Sequence, residues 1–453
     1  MNIINTIRKL FILILSFLIS AGIIPAPQPP ADGIDVTLDY KYADSDAGCA
    51  AGTLTLKSNF DSDYRMYWGD SANEKLTVTI QSGKTLSYSE FAEITTSKGS
   101  GSVTLSEFSA IPENAQNVLV YHDDEMLASY AVPYNKQTVS EIPVYEFGAL
   151  SDVHFNRYTS TGTDITEQAF PRALDFFKDN GVSFVGVCGD LSSRGESSAY
   201  ERFNAISSNY NFPVYSCKGN HDCYEKFDFN AWSANMNPGV FGDETADGIL
   251  ARSDNGYDFV YTLNGDIFIF LSQISSTYAP YVQILTDEQL SWVTQQFEKY
   301  SDKRVYLFFH TFLNAPDLPY AMGEGNLIND YGISYSLPYF KGNRDEVYFA
   351  KLLKKYKNVI FFNGHSHWAY EMQSYNPRLN ITDYDGTTAT MVHVSSVAAP
   401  RTSDITSPSI VSNPGTMSEG LLIKVYNGHI VVSGIDFINS QLLSYAYYNI
   451  NTK

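Results

Sequence analysis

Val144-Tyr-Glu-Phe-Gly-Ala-Leu-Ser-Asp152-Val-His154 is the stretch that settles the architecture. Its first seven residues, Val144–Leu150, carry a single charge and no alternation of polar and apolar positions, which predicts a buried strand. That strand delivers an Asp-x-His at its carboxyl end. Two further apolar runs do the same: Phe184–Cys188 leads into Gly189-Asp190, and Val214–Cys217 leads into Gly219-Asn220-His221-Asp222. Polar tips at the carboxyl ends of successive strands are how open α/β sheets place their sites.

Between the strands lie helical patterns, Pro171–Asp179 with Asn180-Gly181 as its stop signal and Glu196–Ser207. Right-handed crossovers and a parallel sheet follow. Further on, Thr286-Asp-Glu-Gln289 is a capping box that opens a helix through Lys299. Val305–Phe309 is a strand presenting His310, Asp345–Tyr356 is a helix, and Val359–Phe362 presents Gly364-His365-Ser366-His367. Near the C-terminus, Leu421–Tyr426 and His429–Ser433 flank Asn427-Gly428, a strong hairpin signal. This hairpin is expected to complete a second sheet.

Upstream the period is different. Val36–Tyr40, Thr53–Leu56, Leu76–Ile80, Val103–Leu105 and Val118–Tyr121 alternate apolar and polar residues with turn formers between them. They predict half-buried antiparallel strands, and their spacing suggests an immunoglobulin- or fibronectin-like sandwich of about 100 residues, 33–139. Tyr64–Asp70 fits a central strand bearing one large core aromatic, Trp68. Such a module either contacts a cell surface or glycan or spaces the next domain, which runs from residue 140 to 453.

The N-terminus, residues 1–32, reads as an export signal and linker. Arg8 and Lys9 precede an apolar run, Leu10–Ile24, and Pro25, Pro27, Pro29 and Pro30 form a stiff exit segment. The run is short against the roughly 20 apolar residues of a spanning helix, the alternative being an uncleaved anchor. With 30 basic and 50 acidic residues the chain carries a net charge of −20, a field that repels nucleic-acid duplexes and anionic membranes. The cysteines Cys49, Cys188, Cys217 and Cys223 make no disulfide framework. Cys188 and Cys217 are expected as buried thiols facing opposite sides of the sheet.

Five of the eight histidines fall in the segments that follow these strands, beside Asp152, Asp190 and Asn220. Carboxylate, imidazole and amide oxygen suit borderline or hard divalent cations, and two such ions sharing a carboxylate activate water for hydrolysis. In order, the segments Asp152-x-His154, Gly189-Asp190, Gly219-Asn-His-Asp222, His310 and Gly364-His-x-His367 resemble the pattern of the calcineurin-like metallophosphoesterase superfamily. The resemblance spans Val144 to the C-terminus. It implies two mixed β-sheets flanked by helices, a four-layer sandwich, and two divalent ions, manganese, zinc or iron. It further implies that Asp152, His154 and His367 hold the first ion, Asn220, His310 and His365 the second, and Asp190 bridges them. Asp190 suits a bridge because a carboxylate has two oxygens, and Asn220 binds without adding negative charge. His221 is assigned as donor to the leaving oxygen, oriented by Asp222.

Ser193 stands where purple acid phosphatases carry an iron-binding tyrosine, which argues against a ferric centre. Ser/Thr protein phosphatases carry Asp and Arg in that loop; this chain departs at Ser193 but retains Arg194-Gly195, making Arg194 a candidate substrate-phosphate contact. The features of secreted 5′-nucleotidases are absent from the sequence. Pro316–Phe340, rich in Gly and aromatics, is the candidate pocket rim. His393 and Arg401 are expected in core or surface roles. The expected activity is hydrolysis of phosphomonoesters or phosphodiesters by a metal-bridging hydroxide, on a small molecule or an exposed phosphorylated group. A nucleotide or cyclic-nucleotide phosphodiesterase with the same metal site is the alternative, and a surface-binding protein with an inactive phosphatase domain is the rival from another class.

Overall fold

The computed structural model describes residues 33–38, 52–79, 83–105, 111–112, 114–132, 142–158, 164–224, 229–235, 248–276, 282–312, 344–374, 381–382, 389–404 and 407–452. The expected export signal and linker, Cys49 and the rim segment 316–340 lie outside them.

Three parallel strands carry the first motifs: β10 (Tyr145–Leu150), β11 (Val185–Val187) and β12 (Val214–Ser216), numbered after nine strands upstream. β10 is buried along its whole length, as its unbroken apolar run predicts. Its other edge pairs antiparallel with β22 (Glu419–Val425), which continues through β23 (His429–Asp436) to β24 (Gln441–Asn451). The C-terminal hairpin therefore completes the first sheet and not a second one. The reason is non-local: β10 has one parallel neighbour and a free apolar edge, which only the distant hairpin fills.

The second sheet is built around parallel strands β15 (Asp266–Phe270), β16 (Val305–Phe308), β17 (Val359–Asn363) and β19 (Thr390–His393), extended antiparallel by β13 (Ile249–Arg252), β14 (Phe259–Leu263) and β18 (Ile381–Thr382). The two sheets face each other across a layer of rings. Phe147 of β10 meets Phe268 edge-on at 5.4 Å and Tyr306 at 5.2 Å, and Phe184 meets Phe268 at 4.8 Å. Helices cover the outer faces. Helix Thr166–Asn180 sets Phe177 over Phe437, while Asp287–Lys299 and Arg344–Lys355 bury Leu290, Val293, Phe297, Phe349 and Leu353 against the second sheet. This is the mixed, helix-flanked pair of sheets expected.

The Asp287 helix opens with both hydrogen bonds of its capping box in place. The first helix differs from the sequence reading: it starts at Thr166, so Pro171 lies inside it. Two hydrogen bonds at the helix start, one local and one to the preceding loop, override the proline. Asp164 Oδ1 accepts from Thr166 N at 3.0 Å, and Thr166 Oγ1 donates to Val153 O at 2.6 Å, pinning the helix start to the Asp152–His154 loop. Register corrects the cysteine expectation as well. Val187 pairs with Ser216, so the next residues, Cys188 and Cys217, stand abreast on one face; both are buried free thiols.

The N-terminal part is all β. It contains β1 (Asp35–Leu38), β2 (Gly52–Lys57), β3 (Asp63–Gly69), β4 (Thr77–Thr79), β5 (Thr85–Ser87), β6 (Ala92–Thr95), β7 (Ser100–Leu105), β8 (Asn117–His122) and β9 (Glu125–Ala131). They form sheets in the orders β1-β2-β7, β6-β3-β8-β9 and β4-β5. β3 is interior to its sheet and buries Tyr64, Met66 and Trp68, with Trp68 stacked on Phe91 at 4.1 Å. Beyond β5, Tyr88 bridges to Leu442 and Ser444 Oγ donates to Ser89 O at 2.6 Å, so this region covers the outer edge of β24.

Candidate metal centre

The carboxyl ends of β10, β11, β12, β16 and β17 converge, and each delivers its motif at the same place. Asp152, His154, Asp190, His310, His365 and His367 are all buried, and Asn220 is 6% exposed. Asp152, His154 and His367 form one group of mutually close ligand atoms; Asp190, His310 and His365 form another; His154, Asp190 and His221 form a third between them. His367 Nε2 lies 2.9 Å from Asp152 Oδ1 and 3.1 Å from His154 Nε2. His310 Nε2 lies 3.2 Å from Asp190 Oδ2, 3.1 Å from Asn220 Oδ1 and 3.2 Å from His365 Nδ1.

The ligating atoms are selected by what holds the others. His310 Nδ1–H donates to Cys188 O at 2.7 Å and His367 Nδ1–H to Ala399 O at 3.2 Å, so on both rings it is Nε2 that faces the cluster. Asp152 Oδ2 accepts from Ser151 Oγ and from His365 N, while Oδ1 is buried and accepts no hydrogen bond. Asp190 Oδ1 accepts His221 N at 2.8 Å, and Oδ2 faces both His310 and His154, the latter at 3.7 Å. Of the two Asp190 oxygens, Oδ2 is thus the one that faces an imidazole of each group. Carboxylate oxygens and imidazole nitrogens gathered in these buried groups, with no protein donor for Asp152 Oδ1, fit divalent cations.

Asp152, His154, Asp190, His365 and His367 all have left-handed backbones, with φ of 53°, 53°, 55°, 71° and 61°. Such conformations cost about 1 to 3 kcal/mol each and persist where the surroundings dictate them. Here the surroundings are inter-loop hydrogen bonds, Asp152 N to Gly189 O and His154 N to Asp190 O. Gly219 allows the loops to close: a Cβ there would stand 2.1 Å from Asp190 Oδ1 and 2.6 Å from Asp190 N.

Charge follows the geometry. Burial opposes ionisation of Asp152 and Asp190, yet the surrounding imidazoles outweigh it and hold both carboxyls below their usual range. Burial alone would strip His310 of its proton, but Asp190 and Asp152 push it up to about 9. Burial drives His154 and His365 down, and His367 down to about 3.

Asp222 does not orient His221. Its Oδ1 accepts Ser192 N, Ser192 Oγ and Tyr200 OH, and its Oδ2 accepts Leu191 N and Gly219 N, all within 3.0–3.2 Å. Five donors leave no oxygen for the imidazole. Asp222 instead ties the loop after Asp190 to the loop before Asn220, while burial and the charge of Asp190 raise its pKa. His221 Nδ1–H donates to Ser193 O at 2.7 Å, so a main-chain carbonyl orients the ring. Arg194, next along the loop, is exposed, and its N–H donates to Glu196.

His393 is buried and donates from Nε2 to Trp368 O at 2.9 Å, a core role behind the last motif. Arg401 is closer to the site than its sequence position suggests. Its N–H donates to His367 O at 2.6 Å, its carbonyl accepts Ala369 N, and its Nη1 donates to Ser366 O at 3.2 Å. That bridge joins residues far apart in the chain, and no local sequence signal announces it.

Residues 145–369 match the family model of the calcineurin-like phosphoesterases. No curated protein matches the chain in sequence. Solved structures that align with it include a purple acid phosphatase from yellow lupin (Lupinus luteus) seeds, at 12% identity over 93% of this chain and 74% of that one, with a TM-score of 0.42. GAP50, the anchor in the inner membrane complex of Plasmodium, aligns at 12% identity over 68% of this chain and 89% of its own, TM-score 0.40. PhoD aligns at 12% identity over 90% and 87%, TM-score 0.38. The match over the ligand-bearing strands, on the geometry above, shows that the chain carries a calcineurin-like phosphoesterase domain and is a metal-dependent phosphoric ester hydrolase.

Proposed function

We propose that this is an exported phosphoesterase using two divalent cations to hydrolyse phosphomonoesters or phosphodiesters. The observation that carries the reading is the pair of ligand groups meeting at Asp190 Oδ2. Asp152, His154 and His367 would hold one cation, Asn220, His310 and His365 the other, and Asp190 both. Bound there, the ions supply Lewis acidity and a water of lowered pKa for in-line displacement at phosphorus. Asn220 adds an oxygen without charge, which keeps the site cationic enough to attract a phosphate in a chain of net charge −20. His221, its ring fixed by Ser193 O through Nδ1–H and grouped with His154 and Asp190, would donate a proton to the leaving oxygen. Export rests on Leu10–Ile24 and the basic residues before it.

Metal analysis of the purified full-length chain is expected to give two ions per chain, and Asp190→Asn is expected to lose both turnover and at least one ion while keeping the fold. Undiminished hydrolysis by that variant, or fewer than one ion per wild-type chain, would refute the dinuclear reading.

A further inference from the structure

A row of three rings runs outward from the metal-binding cluster. The His154 and His221 centroids are 4.7 Å apart with planes at 89°, and those of His221 and Tyr224 are 5.3 Å apart at 77°. Exposure rises along the row: His154 is buried, His221 is half-buried, and Tyr224 is 40% exposed. Tyr224 follows the single turn His221–Cys223 with an extended backbone, φ −68° and ψ 165°. Its neighbour Cys223 points inward, with Sγ on Gln273 O at 3.1 Å. The tyrosine ring is left standing beside the His221 imidazole.

We propose that Tyr224 is a specificity-determining residue that stacks a planar aromatic group on the leaving-group side of the substrate. The inference rests on the reading of His221 as the leaving group's proton donor. A ring perpendicular to His221 touches it along one side and keeps surface for a second ring, the arrangement in which aromatic pairs are most favourable. The two sources of such a group are an aryl ester, with its ring on the ester oxygen, and a nucleotide, with its base a sugar's length away.

The test is steady-state kinetics of the metal-loaded full-length chain and its Tyr224→Ala and Tyr224→Phe variants on phenyl phosphate, adenosine 5′-monophosphate and glycerol 3-phosphate. Tyr224→Ala is expected to raise KM for one or both aromatic substrates about tenfold, a stacking contribution, while changing glycerol 3-phosphate by less than about twofold. Tyr224→Phe is expected to restore KM. A rise confined to phenyl phosphate assigns the aryl ester, and one confined to the nucleotide assigns the base. Equal losses on all three substrates would overturn the inference, because Tyr224 would then act only through His221. So would no change on any of them. Absence of hydrolysis of every ester by the wild-type chain would remove the functional reading itself and this inference with it.

Discussion

Asp222→Asn distinguishes a carboxylate that orients His221 from one that clasps two ligand loops. The amide keeps one oxygen, which serves Ser192 and Tyr200 in the place of Oδ1. Its NH2 group then confronts two donors, Leu191 N and Gly219 N, at a site with no exposure. Stripping an acceptor from a buried N–H costs about 1 to 3 kcal/mol, so the pair amounts to about 4 kcal/mol. Against the roughly 5 to 15 kcal/mol that holds a domain folded, this is a large fraction. The two N–H groups flank Asp190 and Asn220, so the ligands of both cation positions move apart, and metal affinity is expected to fall at least about tenfold. Urea denaturation of the metal-free chain, followed by metal titration of the folded variant, reads both effects. Stability within about 1 kcal/mol of wild type and unchanged metal affinity, with kcat alone reduced, would refute the clasp and return Asp222 to the imidazole.

Glu419 gives a pH dependence of definite sign. Its carboxyl is pushed up to about 8 by burial, although Tyr370 N donates to Oε2 at 3.0 Å. The folded chain therefore keeps a proton that the unfolded chain releases near the usual 4.5, and stability falls by about 1.4 kcal/mol per pH unit as pH rises from there to about 8. Glu419→Gln, which mimics the protonated acid, should match wild type near pH 4.5 and be more stable at pH 8; a variant that retains the wild-type slope in urea titrations would disprove this. Gly219→Ala drives a methyl against Asp190 Oδ1 and N, and the expected result is loss of stoichiometric metal binding with the secondary structure kept. Full metal occupancy by inductively coupled plasma analysis, with wild-type far-ultraviolet dichroism, would show that the loops yield.

The convergence of these side chains was legible in the sequence because each motif follows directly on a strand whose apolar run is local. The features that escaped it depend on partners distant in the chain. Asp222 sits beside His221 in sequence, yet the donors that claim it come mainly from Leu191, Ser192 and Tyr200. Likewise, the His221 N–H claims one oxygen of Asp190 and leaves the other facing the imidazoles, which adjacency alone does not specify. The Thr166 helix start needs Val153 of the preceding motif as well as its neighbour Asp164, and Pro171 is misleading as an initiator because those bonds together outweigh the one hydrogen bond a proline removes. Asn427-Gly428 marked the hairpin correctly, but a turn dipeptide carries no information on which sheet receives it.

The seating of β22 against β10 governs the order in which this molecule can assemble. The strand that leads into Asp152 and His154 gains β11 early, from nearby sequence, but its second neighbour pairs Tyr145 with Val425, far later in the chain. Until then β10 is an open, largely apolar edge, and the first motif's loop hangs from a half-built sheet. Contacts of such long sequence separation slow folding and leave intermediates prone to association. A chain shortened before residue 419 would lack not a terminal ornament but one flank of the strand on which its chemistry begins.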